Sequence, residues 1–328
     1  MTTADITQLA NQVRDGDRRA LGRAITLIES SRAEDRRQAG ALLDILAPYA
    51  GNSIRLGISG APGVGKSTSI EAIGNFLIDQ GHKVAVLAVD PSSALSGGSI
   101  LGDKTRMERL SQRIEAFIRP SPSGETLGGV ARRTRETMQI VEAAGFDVVL
   151  VETVGVGQSE TEVSRMTDMF LLFLLPSGGD ELQGIKRGIV ELADLIVVNK
   201  ADGDTKNAAD RTAGDYRNAL HFLQPRSSNW QVPVMSYSAF NEEKTAELWG
   251  IVADYQNTMS ESGEIKARRS EQARAWMWSE VTDTLLDRFK LNQSVKTHIE
   301  ELETAVTKGD ISPTAAAKKL ITAFLADQ

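Results

Sequence analysis

A chain of 328 residues with 41% hydrophobic content can hold one large domain with extensions and has enough apolar material for a core. The net charge of −7 argues against a nucleic-acid partner, which would want a basic face, and the absence of cysteine excludes disulfides, thiolate metal sites and cysteine nucleophiles. The longest apolar run, Met169 to Leu175, is far below the ~20 residues of a membrane span, and no leading stretch has the order of a signal peptide. The sequence therefore predicts a cytoplasmic protein with no membrane partner.

Residues 1–50 are charged but carry two apolar stripes, Ala20, Leu21, Ala24, Ile25 and Ile28, then Leu42, Leu43, Ile45 and Leu46. These predict an N-terminal helical segment of two packed helices. From 51 to 258, short apolar runs alternate with amphipathic stretches, the βα pattern of a doubly wound, mostly parallel α/β sheet. The first run, Ile54 to Ser59, leads into Gly60-Ala61-Pro62-Gly63-Val64-Gly65-Lys66-Ser67, followed by Thr68. A strand, a GxxxxGK[ST] loop and a helix in that order form a P-loop for a nucleoside triphosphate. Glycine lets the chain curl closely enough to aim several N–H groups at phosphate. Lys66 reaches the β- and γ-phosphates, Ser67 joins Mg²⁺, and the helix opening there offers its positive end.

The next strand, Lys83 to Val89, ends at Asp90, and Asp103 follows a glycine-rich stretch at 96–102. The run Phe146 to Val151 leads into Glu152-Thr153-Val154-Gly155. Ser67, Asp90, Asp103 and Glu152 are the candidate metal set, with Ser67 direct and most of the acids one water away, because Mg²⁺ keeps several waters. Gly155 lets its own amide swing against the γ-phosphate, so that the following loop orders with triphosphate and relaxes after hydrolysis. Val156 follows Gly155 directly and Gln158 is offset, which predicts slow intrinsic turnover raised when a partner orders the loops. Lys186, in the 177–188 loop, is the candidate charge brought in by that ordering, with Arg106, Arg132 and Arg133 weaker. Lys66, Glu152, Lys186 and Gln158 are thus the catalytic candidates.

The strand Leu195 to Val198 ends in Asn199-Lys200-Ala201-Asp202, at the sheet edge where open parallel sheets bind ligands. A carboxylate at Asp202 accepts the ring N1–H and the 2-amino hydrogens of guanine, whereas adenine would leave it unpaired. Asn199 braces the loop and reaches N7, and the Lys200 stem lies over the ring. Ser238-Ala239-Phe240, after the strand Val232 to Met235, offers an N–H to guanine O6. The tail, 259–328, has few glycines and helical periodicity through Trp276, Val281, Leu285, Leu286 and Phe289; Ser312-Pro313 then caps a last helix with Leu320, Ile321, Phe324 and Leu325. Trp276 and Trp278 read more readily as core than as an interface, yet a helical arm cannot bury every apolar side within one chain, which makes a dimer seam plausible.

The set GAPGVGKST, VDPSS, GDKTRM, VETVGVGQSE, SGGDELQGIKRG and NKAD resembles the MeaB/ArgK family of methylmalonyl-CoA mutase-associated GTPases, of the SIMIBI class. The match runs from about Arg55 to Phe240. The resemblance implies GTP and GDP as ligands, Mg²⁺, and a homodimer formed through the C-terminal arm. It also implies a chaperone role toward an adenosylcobalamin-dependent acyl-CoA mutase, methylmalonyl-CoA mutase first among them, gating cofactor loading and protecting the mutase from inactivation. It makes the 177–188 loop a third switch. Two alternatives stay open. One is a kinase of the ArgK description, for which no base-bearing catalytic loop is evident. The other is a metallochaperone GTPase, against which the scattered His82, His221 and His298 and the missing cysteines count.

Overall fold

A computed structural model of the chain describes residues 2–30, 32–89, 107–120, 127–153, 159–176, 187–223 and 225–326. They fall into two compact units, 1–268 and 269–328. The first is built on a seven-stranded sheet in the order β3-β2-β4-β1-β5-β6-β7, with every neighbouring pair parallel. Its strands are β1 (Ile54–Gly60), β2 (Val84–Val89), β3 (Ala116–Arg119), β4 (Val148–Thr153), β5 (Met169–Leu174), β6 (Leu195–Val198) and β7 (Val234–Ser236). The helices, among the described residues, are α1 (Thr3–Arg14), α2 (Arg18–Glu29), α3 (Ala33–Leu46), α4 (Lys66–Asp79), α5 (Glu108–Ser111), α6 (Leu127–Ala143), α7 (Ser159–Ser164), α8 (Arg187–Val190), α9 (Lys206–Leu220), α10 (Glu242–Glu261), α11 (Glu264–Leu291), α12 (Gln293–Lys308) and α13 (Pro313–Ala326).

The unbroken apolar run of β5 follows from burial on both faces. Leu171 and Phe173 join the cluster with Ile70, Ile73 and Leu77 of α4 and Leu248 and Val252 of α10. Leu172 and Leu174, pointing the other way, join Ala209, Ala213 and Tyr216 of α9. Each such side chain contributes about 1.5–3 kcal/mol. The last strand, β7, has no neighbour on its outer side among the described residues; there the Arg217 fork donates to the Val234 carbonyl through Nε (3.2 Å) and Nη2 (3.0 Å), which blunts the edge.

The amino ends of the strands share one device. Asp147, Asp168 and Asp194 stand one residue ahead of β4, β5 and β6. Each carboxylate accepts a backbone N–H from the adjoining strand, Asp147 from Lys83 (2.7 Å), Asp168 from Arg55 (2.9 Å) and Asp194 from Phe170 (2.9 Å). Each aspartate's own N–H donates to the carbonyl of that same residue, at 3.1, 2.9 and 2.8 Å. These two-point clamps set the register of three strand pairs, and those of Asp168 and Asp194 satisfy buried donors. Beside them Arg55 holds Glu142 in a bidentate pair (2.7 and 2.8 Å), and the Gly51 amide also donates to Glu142. Arg268, in the first turns of α11, donates to the Asp168 carbonyl and to Asp194 Oδ2.

Three features differ from expectation. Residues 1–50 form three helices, because Ile6, Leu9, Ala10 and Val13 make α1's narrow apolar stripe, pinned by a Thr2–Asp5 capping box. The short strand β3 pairs with β2 at the sheet edge, and its half-buried, Arg-ended sequence gave no strand signal. Trp278 is 61% exposed and is not core; with Val281 and Leu285 it lies on one face of α11. Within the second unit α12 and α13 pack together, and Phe289 of α11 meets Phe324 edge-on at 5.4 Å.

Candidate nucleotide-binding site

At the carboxyl ends of β1, β4, β6 and β7 the residues singled out from the sequence converge. β1 runs into the loop 60–65 at Gly60, whose φ of 152° no side chain adopts easily; a Cβ there would also collide with the Phe173 carbonyl of β5. Gly65 (φ 96°) is the N-cap of α4, and a Cβ on it would sit 2.6 Å from Asn199 Nδ2. A glycine cap has no side chain to satisfy the first amides of α4, so those donors stay available to an anion in the dipole's positive field. Lys66 is buried, and its Nζ donates to the Gly60 carbonyl at 2.7 Å, across the mouth of the loop.

Glu152, 5% exposed, ends the ladder between β1 and β4 opposite Ile58. Its Oε1 accepts from Ser67 Oγ at 3.1 Å. A hydroxyl and a carboxylate in contact, both oxygen donors, fit a hard cation that takes its remaining ligands from phosphate and water, as Mg²⁺ does. Asp90, Asp103, Gly155, Gln158 and Lys186 lie outside the described residues.

The base reader is assembled from β6 and β7. Lys200 adopts a left-handed backbone (φ 58°), and the Ala201 N–H donates to the Tyr237 carbonyl at 2.9 Å, which ties the turn to the end of β7. Ser238 Oγ donates to Asp202 Oδ2 and accepts the Phe240 N–H (3.3 Å), so one hydroxyl orients the carboxylate and shapes the following turn. Thr205, which sequence reasoning missed, closes the loop from below through the Lys200 (2.5 Å) and Asp202 (2.8 Å) carbonyls. A threonine three residues past the aspartate was the available signal. Phe240, 86% exposed, extends from the rim beside Ala239.

Asn199, at the end of β6, braces the P-loop as expected. Its Nδ2 donates to the Val64 carbonyl (2.8 Å) and Ser69 Oγ (3.3 Å), which uses both amide hydrogens. Its Oδ1 is buried and has no hydrogen-bond partner among the described residues.

Residues 21–294 match the family described as Methylmalonyl Co-A mutase-associated GTPase MeaB. A protein of Caulobacter vibrioides named Putative GTPase is 54% identical over 320 residues, covering 98% of each chain. The mitochondrial Methylmalonic aciduria type A homolog of Mus musculus is 47% identical over 319 residues, 94% of this chain and 77% of that protein. A solved structure described as LAO/AO transport system kinase superposes with a TM-score of 0.76 at 37% identity, covering 98% of each chain. The family match takes in the nucleotide loops together with most of α2 and all of α3, and the chain belongs to the MeaB family, a GTPase like the relatives it matches.

Proposed function

We propose that this GTPase is a nucleotide-dependent chaperone of an adenosylcobalamin-dependent acyl-CoA mutase, methylmalonyl-CoA mutase in the first place. It gates cofactor loading and protects the mutase from inactivation. The observation that carries this is the family match over residues 21–294, whose description names mutase association. The mouse relative's name points to the same metabolism.

In this proposal the P-loop amides from Gly60 to Thr68 and the Lys66 ammonium hold the phosphates of GTP or GDP, and Asp202, Ala239 and Phe240 define the base pocket. Mg²⁺ supplies charge neutralisation at the β- and γ-phosphates when bound; Ser67 is its direct protein ligand. Glu152, Asp90 and Asp103 would each hold it through a bound water. Gln158 and Lys186 complete the catalytic set when the partner orders their loops, with Gly155 as the amide that follows the γ-phosphate. The exposed stripe Trp278, Val281 and Leu285 on α11 supports a homodimer through the C-terminal arm, since an apolar face of this kind is covered in a stable protein. The working compartment is the cytoplasm, in keeping with a chain without cysteine.

The test is turnover of GTP by the full chain alone and with a purified adenosylcobalamin-dependent acyl-CoA mutase. Slow hydrolysis that rises about tenfold or more with the mutase, with a complex whose stability follows the nucleotide, is expected. No complex in any nucleotide state and an unchanged rate would end the chaperone assignment while leaving the GTPase intact.

A further inference from the structure

The β1 and β4 strands part company at the place where the site begins. Their last backbone rung pairs Ile58 with Glu152. Beyond it β1 continues alongside β5, through Ser59 opposite Leu172 and Gly60 opposite Phe173, while Thr153 is paired with Val89 of β2. One step past that final rung, Thr153 Oγ1 donates to Ser59 Oγ at 2.9 Å, and both residues are fully buried. A side-chain bond thus replaces the next rung of the ladder.

Its position gives it leverage. Ser59 precedes Gly60, whose carbonyl accepts from Lys66, and Thr153 follows Glu152, whose carboxylate accepts from Ser67. The gap between the phosphate-holding loop and the Glu152 carboxylate is therefore spanned on one side by the Ser67–Glu152 contact and on the other by the hydroxyl pair. Residues that orient a metal's ligands without touching it typically matter by about 10–100-fold in metal affinity or activity.

We infer that Thr153 is a positioning residue for GTP hydrolysis: its hydroxyl, through Ser59, fixes the separation of Glu152 from Ser67 and so sets the Mg²⁺ requirement of turnover. This rests on the proposed metal role of Ser67 and Glu152. Binding of GDP depends on the P-loop amides and Asp202, which the pair does not touch, so the two properties separate.

The experiment measures kcat, KM for GTP, the Mg²⁺ concentration giving half-maximal turnover, GDP affinity and thermal unfolding in the wild type, T153V, T153S, S59A and the T153V/S59A double variant. Valine keeps the shape of threonine and removes the donor. T153V is expected to lower kcat about tenfold and raise the half-maximal Mg²⁺ several-fold, with GDP affinity within about twofold. T153S restores both, S59A reproduces the defect, and the double variant is no worse than either single, because removing both partners leaves no buried hydroxyl stranded. S59A carries the test if T153V folds poorly. Unchanged kcat and Mg²⁺ requirement in T153V and S59A overturn the inference. So does a loss of activity that only tracks loss of folded protein or falls equally on GDP binding. A wild type whose turnover ignores Mg²⁺, or an E152Q variant with an unaltered requirement, overturns the metal assignment instead.

Discussion

The two ends of one sheet are built on opposite principles. At the amino ends, acidic and basic groups find partners within the chain: three aspartates clamp neighbouring strands, Glu142 is gripped by Arg55, and Arg268 is tied to Asp168 and Asp194. At the carboxyl ends, among the described residues, the glycine loop leaves the first α4 amides without a side-chain cap. Polar groups left unsatisfied by folding carry a cost that a ligand relieves, so a sheet with one closed edge and one open edge concentrates binding at the open one. Substitutions at the closed edge should change stability and spare nucleotide binding; those at the open edge should do the reverse.

The largest effect expected is at the open edge. Asp202→Asn exchanges an acceptor for a group with one acceptor and one donor, which costs guanine two charge-assisted bonds. GDP affinity is expected to fall on the order of 10³-fold, with xanthosine diphosphate becoming the better ligand. Ser238 keeps an acceptor, so the melting temperature without nucleotide should hardly move. Isothermal titration with both nucleotides decides it, and undiminished guanine preference would remove Asp202 from the base pocket.

Next comes Glu142→Gln at the closed edge. The pair with Arg55 is almost fully buried, and neutralising one partner strands the other, so a loss of about 3 kcal/mol is expected in urea unfolding. GDP affinity should stay within about twofold. The effect has a pH signature. Burial disfavours the Glu142 carboxylate, but the Arg55 fork, the Ser53 hydroxyl and the Gly51 amide outweigh it and hold its pKa below 4.5. A depressed folded-state pKa gives stability that is fully present above the unfolded value and is lost as pH falls through the folded one. The gap between wild type and variant should therefore be level at neutral pH and narrow only as the solution is acidified below pH ~4.5. A gap that widens on acidification would contradict the assignment.

The same contrast explains what the sequence made legible. The open edge was readable because its chemistry needs specific residue types at fixed spacing, so Gly60 to Ser67 and Asn199 to Asp202 stood out without any knowledge of tertiary contacts. The closed edge carried an equally regular signal, an aspartate immediately ahead of the runs starting at Val148, Met169 and Leu195, but its meaning depends on which strand lies alongside, a long-range fact. The Thr153–Ser59 bond was hidden for the same reason, since the two residues are 94 positions apart. The strand β3 went unseen because burial of a few side chains against neighbours decides its structure; α1, by contrast, carries a legible stripe, Ile6, Leu9, Ala10 and Val13, and a capping box that the sequence reading passed over. The exposed Trp278 shows the converse: periodicity marks an apolar face correctly but does not say whether the same chain covers it.

The smallest effect tests whether the closed edge is uniform. Asp147→Asn keeps an oxygen for the Lys83 N–H and loses the charge facing His82, where the two side chains are 49% and 31% exposed. Water competes for both side chains, so the cost should be less than about 1 kcal/mol. Asp194 carries the same clamp but is buried and faces Arg268, so its charge has no solvent to replace the lost partner. If Asp147→Asn destabilises as much as Glu142→Gln, the clamps derive their worth from the charge itself; if it costs only a few tenths of a kcal/mol, the neutral amide's oxygen suffices and the closed edge is held by geometry where it meets water and by charge only where it is buried.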